Sequence, residues 1–207
     1  MSDAAVVSAI CFGMFIFWST QAVLSGFPEA RLSDASNAWM ILVEVVLAAA
    51  ALLYLYARGF DIRSLYPIPN LRGTFLGLGI FVAAFLAGAI ATAPLTGSER
   101  PLMTEFSYSG VSLISAVLVA MVNGTFEEAF LLGVLVRGLR GYGLSVAVGI
   151  SLLVRVLYHL YQGPLGAVWV LAIGLTFSLF YVHGKQLWPL VFAHILWDIV
   201  PIYAAGA

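Results

Sequence analysis

The chain reads as long apolar runs broken by short polar punctuation. Seven runs stand out: Ala4 to Gly26, Asn37 to Tyr56, Gly73 to Pro94, Ser109 to Val136, Leu144 to Tyr161, a sixth from Gly163-Pro164 to Val182, and Trp188 to Tyr203. The breaks carry turn and charge residues. Phe27 to Arg31 holds Pro28 and Glu29; Arg58 to Arg72 holds two prolines and three arginines; Thr96 to Pro101 holds Glu99 and Arg100. Within the runs, polar and apolar residues do not alternate, as barrel strands would require. Backbone groups in lipid must be paired within a helix or a closed barrel, so these runs predict helices.

Composition sharpens this into a membrane protein. Of 207 residues, 62% are hydrophobic and 9% charged, with a mean hydropathy of +1.04. A soluble domain carries about 25% charged residues, so this chain is too poor in charge to cover a water-facing surface. A crossing takes about 20 apolar residues, which leaves room for six to eight crossings and no second, soluble domain. The expected fold is all-α: one polytopic transmembrane bundle over residues 1–207, with about seven membrane helices. Its surroundings are the lipid bilayer of the cell membrane. A net charge of -1 offers nothing to nucleic acid. The single cysteine, Cys11, forms no internal disulfide and reads as a small buried hydrophobe. The first run lacks a basic leader and is expected to remain as the first membrane helix.

The basic residues orient the bundle. With seven crossings, the N-terminus shares a side with Arg58, Arg63, Arg72, Arg137, Arg140 and Lys185; the opposite loops hold Arg31 and Arg100. The positive-inside rule places the N-terminus in the cytoplasm and the C-terminus outside.

Chemistry resides in the polar residues of apolar runs: Glu44, Glu127, Glu128, Arg155, His159, His194 and Asp198. A charged group at the bilayer centre costs roughly 2.5–3.5 kcal/mol on insertion scales, so such groups tend to face one another. Arg155 and His159 are four apart on the fifth helix, as are His194 and Asp198 on the seventh; each pair shares a face. Glu127 and Glu128 on the fourth diverge by about 100°, so one can point into a cavity while the other turns to a neighbouring helix. A polar site between helices 4, 5 and 7 follows. A glutamate beside a histidine can bind and deprotonate water, and a second histidine with a polar neighbour can stabilise an oxyanion. That set suits hydrolysis of a peptide bond within the membrane. Glu44 stands apart and reads as a structural hydrogen bond to a neighbouring helix. His183, before Gly184-Lys185 at a helix end, reads as a loop residue.

Three motifs in order carry a family resemblance: Phe126-Glu127-Glu128-Ala129-Phe130-Leu131-Leu132-Gly133, then Arg155-Val156-Leu157-Tyr158-His159, then His194-Ile195-Leu196-Trp197-Asp198. Over Met121 to Pro201 the chain resembles the CPBP family, the CAAX-protease and bacteriocin-processing membrane proteins, also called Abi proteins. The resemblance implies an intramembrane endopeptidase of the glutamate type without an obligatory metal, acting on a membrane-associated protein or peptide. It assigns Glu127 and His159 to water activation, His194 and Asp198 to the oxyanion site, and Glu128 to orientation and charge balance. The chain departs from the family pattern at three positions. Leu132 stands where an arginine is usual, Arg155 where an aromatic is usual, and Asp198 where asparagine is usual. Arg155 is expected to replace the missing arginine and pair with Glu128.

Other readings compete. Glu127, His159 and His194 could bind zinc and leave a fourth position for water. Gly110-Val111-Ser112 is a bare hint of a serine protease that leaves the paired acids unexplained. Intramembrane acids and histidines also mark proton-coupled transporters. A non-catalytic bacteriocin-immunity or scaffold protein of the same family is a further alternative. A bacteriocin leader, a signal-peptide remnant or another membrane peptide would each suit the protease reading. Nothing in the pattern fixes an oligomeric state.

Overall fold

A computed structural model describes residues 2–95, 103–108 and 110–204. The expected loop Thr96 to Pro101 and the first residue of the fourth run, Ser109, lie outside the described residues. Among these residues seven main helices form: α1 (Ser2–Leu24), α2 (Asp34–Ala57), α3 (Leu71–Thr92), α4 (Leu113–Glu128), α5 (Leu144–His159), α6 (Gly163–Gly184) and α7 (Trp188–Ala204). After Glu128 the backbone of α4 widens into a π-helical segment, Ala129–Val136, before a last α-turn at Arg137–Leu139.

Local chemistry sets the ends. Ser33 caps α2 in a reciprocal box with Ser36, Asn70 caps α3 by accepting from Gly73 N–H at 2.8 Å, and Ser112 caps α4 through Ser115 N–H. Each satisfies a backbone donor that the helix cannot. Ser112 is thus a cap, which accounts for it without a nucleophilic role. Between α5 and α6 the chain turns at Leu160–Gln162 and Gly163, whose φ of 84° suits glycine.

Among the described residues, five apolar helical stretches are long enough to cross a membrane: Ser2–Leu24, Asp34–Ala57, Leu71–Leu95, Leu113–Tyr142 and Leu144–Gly184. The last covers 41 residues and folds back at the Gly163 turn, so it supplies both α5 and α6. Trp188–Tyr203 is a shorter apolar helix. Large side chains such as Leu24, Leu53, Phe75 and Ile90 point outward and exposed, as lipid-facing residues do.

The α4 helix is central. In its most apolar stretch 61% of residues are buried, against 22% in each of the first three. It packs against α2 and α7; α1 packs on α5, and α3 on α6 and α7. The π-helical segment divides two core clusters. Phe130, Leu131 and Leu135 join α1, α2 and α5, with Cys11 buried among them; Leu132 and Val136 join α3, α6 and α7. At one end of the bundle two short strands, β1 (Ala30–Leu32) and β2 (Phe106–Tyr108), pair in parallel. Hydrogen bonds from Ser107 and Arg31 hold the Glu29 carboxyl beside them below the ordinary carboxylate range.

Candidate active site

The two glutamates part as adjacent residues on a helix must. Glu128 is fully buried. Nη2 of Arg155 lies 2.8 Å from both its oxygens, and Nδ1 of His194 lies 2.6 Å from Oε1. The expected pairing of Arg155 with Glu128 is present. Two glycines make it possible. A Cβ on Gly174 of α6 would stand 2.8 Å from Arg155 Cδ, and one on Gly124 would stand 3.3 Å from His194 Cβ. Their bare backbones let the arginine fit against α6 and let α7 approach α4. The Phe177 ring lies 5.9 Å from the guanidinium, a favourable face for a cation.

Glu127 faces the other way, into a cavity of about 890 Å³. Its Oε2 accepts from the Tyr158 hydroxyl and, at 3.4 Å, from Arg155 Nη1. Its Oε1 faces His159 Nε2 at 3.9 Å, and His194 Nε2 stands 3.8 Å from Oε2. His159 Nδ1 lies 2.9 Å from the Arg155 carbonyl. A carbonyl only accepts, so Nδ1 donates; when the ring is neutral its Nε2 lone pair then faces Glu127. On α7, Asp198 Oδ1 is 3.7 Å from His194 Nε2, and Oδ2 accepts from Asn123 Nδ2 at 2.9 Å.

All six expected site residues thus converge. The fifth and seventh helices meet the site although His159 ends one helix and His194 sits near the start of another. The reason is that α5 stops inside the bundle: Tyr161 N–H donates to Ser19 Oγ at 2.8 Å, below the end of α1. Tyr158 and Asn123 join the site without having been singled out. Each had a positional signal: Tyr158 is three residues after Arg155, and Asn123 is one turn before Glu127 on the same face.

The cavity opens at the strand end of the bundle. Its lining runs inward from Leu32, Phe106, Tyr108 and Gln162 to Glu127 and His194. From Leu113 to Glu127 is about 21 Å at 1.5 Å per residue, which sets the site inside a hydrocarbon core of about 30 Å, past its midpoint as counted from the strand end. The opposite end is basic: Arg58 pairs with Asp3 at 3.0 Å, and Arg137 donates to Ser64 Oγ.

Three sequence readings change. Glu44 is buried, yet its Oε2 has no hydrogen-bond partner among the described residues, so the expected structural bond is missing there; the residue lines the cavity instead. The proposed zinc set also differs. Among the described residues, the ligand atoms grouped within 4.8 Å belong to Glu127, Glu128 and His194, not His159. Both Glu128 oxygens are already engaged by Arg155, whose guanidinium would face any cation placed there. This donor set fits a divalent ion poorly. His183, expected in a loop, lies instead in the last turn of α6, its ring bonded to the Leu179 carbonyl one turn earlier.

Comparison with known proteins agrees with the motifs. Residues 109–200 match the model of the family described as type II CAAX prenyl endopeptidase Rce1-like. No curated protein and no solved structure matches the chain. The matched stretch holds all the converging residues, and the family is one of proteases. The matched family is the CPBP, or Abi, family whose motifs residues 109–200 resemble.

Proposed function

We propose that this chain is an intramembrane endopeptidase that hydrolyses a peptide bond of a membrane-associated protein or peptide. The supporting observation is the gap between His159 Nε2 and Glu127 Oε1, 3.9 Å apart, both of them acceptors when His159 is neutral. That spacing is too long for a direct bond and right for one water that donates a hydrogen to each. The water's oxygen is then left with lone pairs free to attack a carbonyl carbon. The Tyr158 hydroxyl fixes the other carboxylate oxygen, so the acceptor is held in place.

In the reaction, Glu127 and His159 take a proton as the water oxygen adds to the carbonyl. His194, as an imidazolium between Glu128 and Asp198, turns Nε2–H to the oxyanion. The carbon–nitrogen bond then breaks, and the leaving amine receives the proton that water gave up. Arg155 and Glu128 hold His194 and Glu127 in register and need not touch substrate. The scheme uses no metal.

The family is described as one of CAAX prenyl endopeptidases. For this chain the charge pattern points to delivery from the other face. The basic loops mark the end away from the strands, which the positive-inside rule puts in the cytoplasm with the N-terminus. The cavity mouth then opens outside, with the C-terminus. An exported leader or signal remnant is the substrate class this arrangement favours.

Purified protein and its Glu127→Ala and His159→Ala variants, incubated with membrane-derived peptides and read by mass spectrometry, test the assignment. Cleavage by the wild type that both variants lose supports it. Cleavage that survives in both variants removes it, and a folded wild type that cleaves none of the peptides turns the reading toward the immunity or scaffold alternative.

A further inference from the structure

Two buried side-chain polar atoms lack a hydrogen-bond partner among the described residues: Glu44 Oε2 and Trp197 Nε1. They come from different helices, α2 and α7, yet both residues line the cavity that holds Glu127. Buried polar groups are normally satisfied, and an unsatisfied one calls for a reason. An ionisable residue within a membrane is costly enough to need one too. One is an acceptor when ionised and the other a donor only. A ligand that meets both must bring a donor and an acceptor of its own.

The charge of the lining says which donor. Glu44, Glu127 and Asp198 contribute three carboxyl groups. Arg155 also lines the cavity, but Glu128 engages it at two oxygens. Arg31 sits at the mouth and is paired with Glu29 at 2.9 Å. Even with His194 charged, acids outnumber free cations in the lining. Asn37, Met40 and Glu44 form one stripe of α2, at i, i+3 and i+7, that faces the cavity. Glu44 is the deepest of the three, about 15 Å from the helix start at Asp34. Met40 and the rings of Phe12 and Phe15 line the same space, a surface that suits the hydrocarbon stem of a long cationic side chain.

We propose that Glu44 is a specificity residue that receives the ammonium or guanidinium group of a lysine or arginine in the bound peptide, while Trp197 Nε1 donates to one of that peptide's carbonyls. The identity of the ligand as a peptide rests on the protease reading; the preference for a cation rests on the cavity itself. Glu44 then selects substrates rather than taking part in bond cleavage, which accounts for an acid placed outside the three family motifs.

The test uses two probes: a peptide with apolar ends and one central lysine, and its twin with norleucine. Binding to the full-length protein in detergent is read from quenching of tryptophan fluorescence, since Trp18, Trp169 and Trp197 line the cavity. A charge-assisted hydrogen bond predicts that the wild type binds the lysine probe ~10- to 100-fold more tightly than its twin, and that Glu44→Gln erases the ratio. Equal binding of the two probes by the wild type overturns the proposal without need of any variant. A ratio that survives in Glu44→Gln overturns it as well, because another group would then hold the cation. Binding is read whether or not cleavage follows. Lysine preference without cleavage would remove the protease reading and keep this one; cleavage without lysine preference would do the reverse.

Discussion

On the Glu128 side of α4, both carboxylate oxygens are met by Arg155 and one also by His194, and no part of the residue reaches solvent. On the Glu127 side, one oxygen is held by Tyr158 and the other looks across 3.9 Å at a histidine. One residue of helix separates a closed ionic cluster from an open cavity. The difference teaches how a small membrane protein can carry two adjacent acids. The first shapes the bundle and the second is left incompletely satisfied, which is the condition for chemistry.

Four substitutions sharpen or break this contrast, in falling order of effect. Arg155→Ala leaves Glu128 buried without its cation. Loss of one partner of a buried pair costs about 3–5 kcal/mol, read from unfolding in detergent. The double variant Arg155→Leu with Glu128→Leu should recover much of that loss, since apolar replacement of both partners is tolerated. If Arg155→Ala unfolds like the wild type, the cluster is not a structural element. Next, Tyr158→Phe removes one charge-assisted bond to Glu127, worth about 1.5–3 kcal/mol. It should lower kcat/KM by about tenfold or more while the protein still folds. Full activity would mean that the Glu127 carboxylate needs no anchor.

Gly174→Ala forces a methyl against Arg155 Cδ. Overpacking of this kind costs about 1–3 kcal/mol. Cleavage should fall together with stability, because the guanidinium shifts away from Glu128; an unchanged melting curve would show that α6 yields freely. The smallest effect belongs to Ser112→Ala. Loss of an N-cap costs about 0.5–2 kcal/mol, with cleavage retained. Loss of cleavage in a folded Ser112→Ala protein would revive the serine reading.

Much of this was legible from the chain because lipid limits the options. Apolar runs had to be helices, and costly polar residues had to meet, so four-residue spacing on two helices and adjacency on a third located the site. The Arg155–Glu128 pair could be anticipated from the displaced arginine alone. What the pattern hid was geometry set by packing. The π-helical segment Ala129–Val136 has no polar signature, since all of its residues are apolar or glycine and all are buried. The early stop of α5 inside the bundle rests on the Ser19 contact with Tyr161, a pair far apart in sequence. Glu44 looked like a packing residue because an isolated acid gives no hint of the cavity it faces.

The most direct measurement places Glu127→Gln and Glu128→Gln side by side, each assayed for thermal unfolding in detergent and for cleavage of the peptide that the wild type cuts. The account predicts that Glu127→Gln melts like the wild type and loses about 10²–10⁴-fold in rate, whereas Glu128→Gln loses stability first, its bonds to Arg155 and His194 being what holds the helices together. A Glu127→Gln protein that still cleaves, or a Glu128→Gln protein that is fully stable and inactive, would contradict the division of labour between the two glutamates.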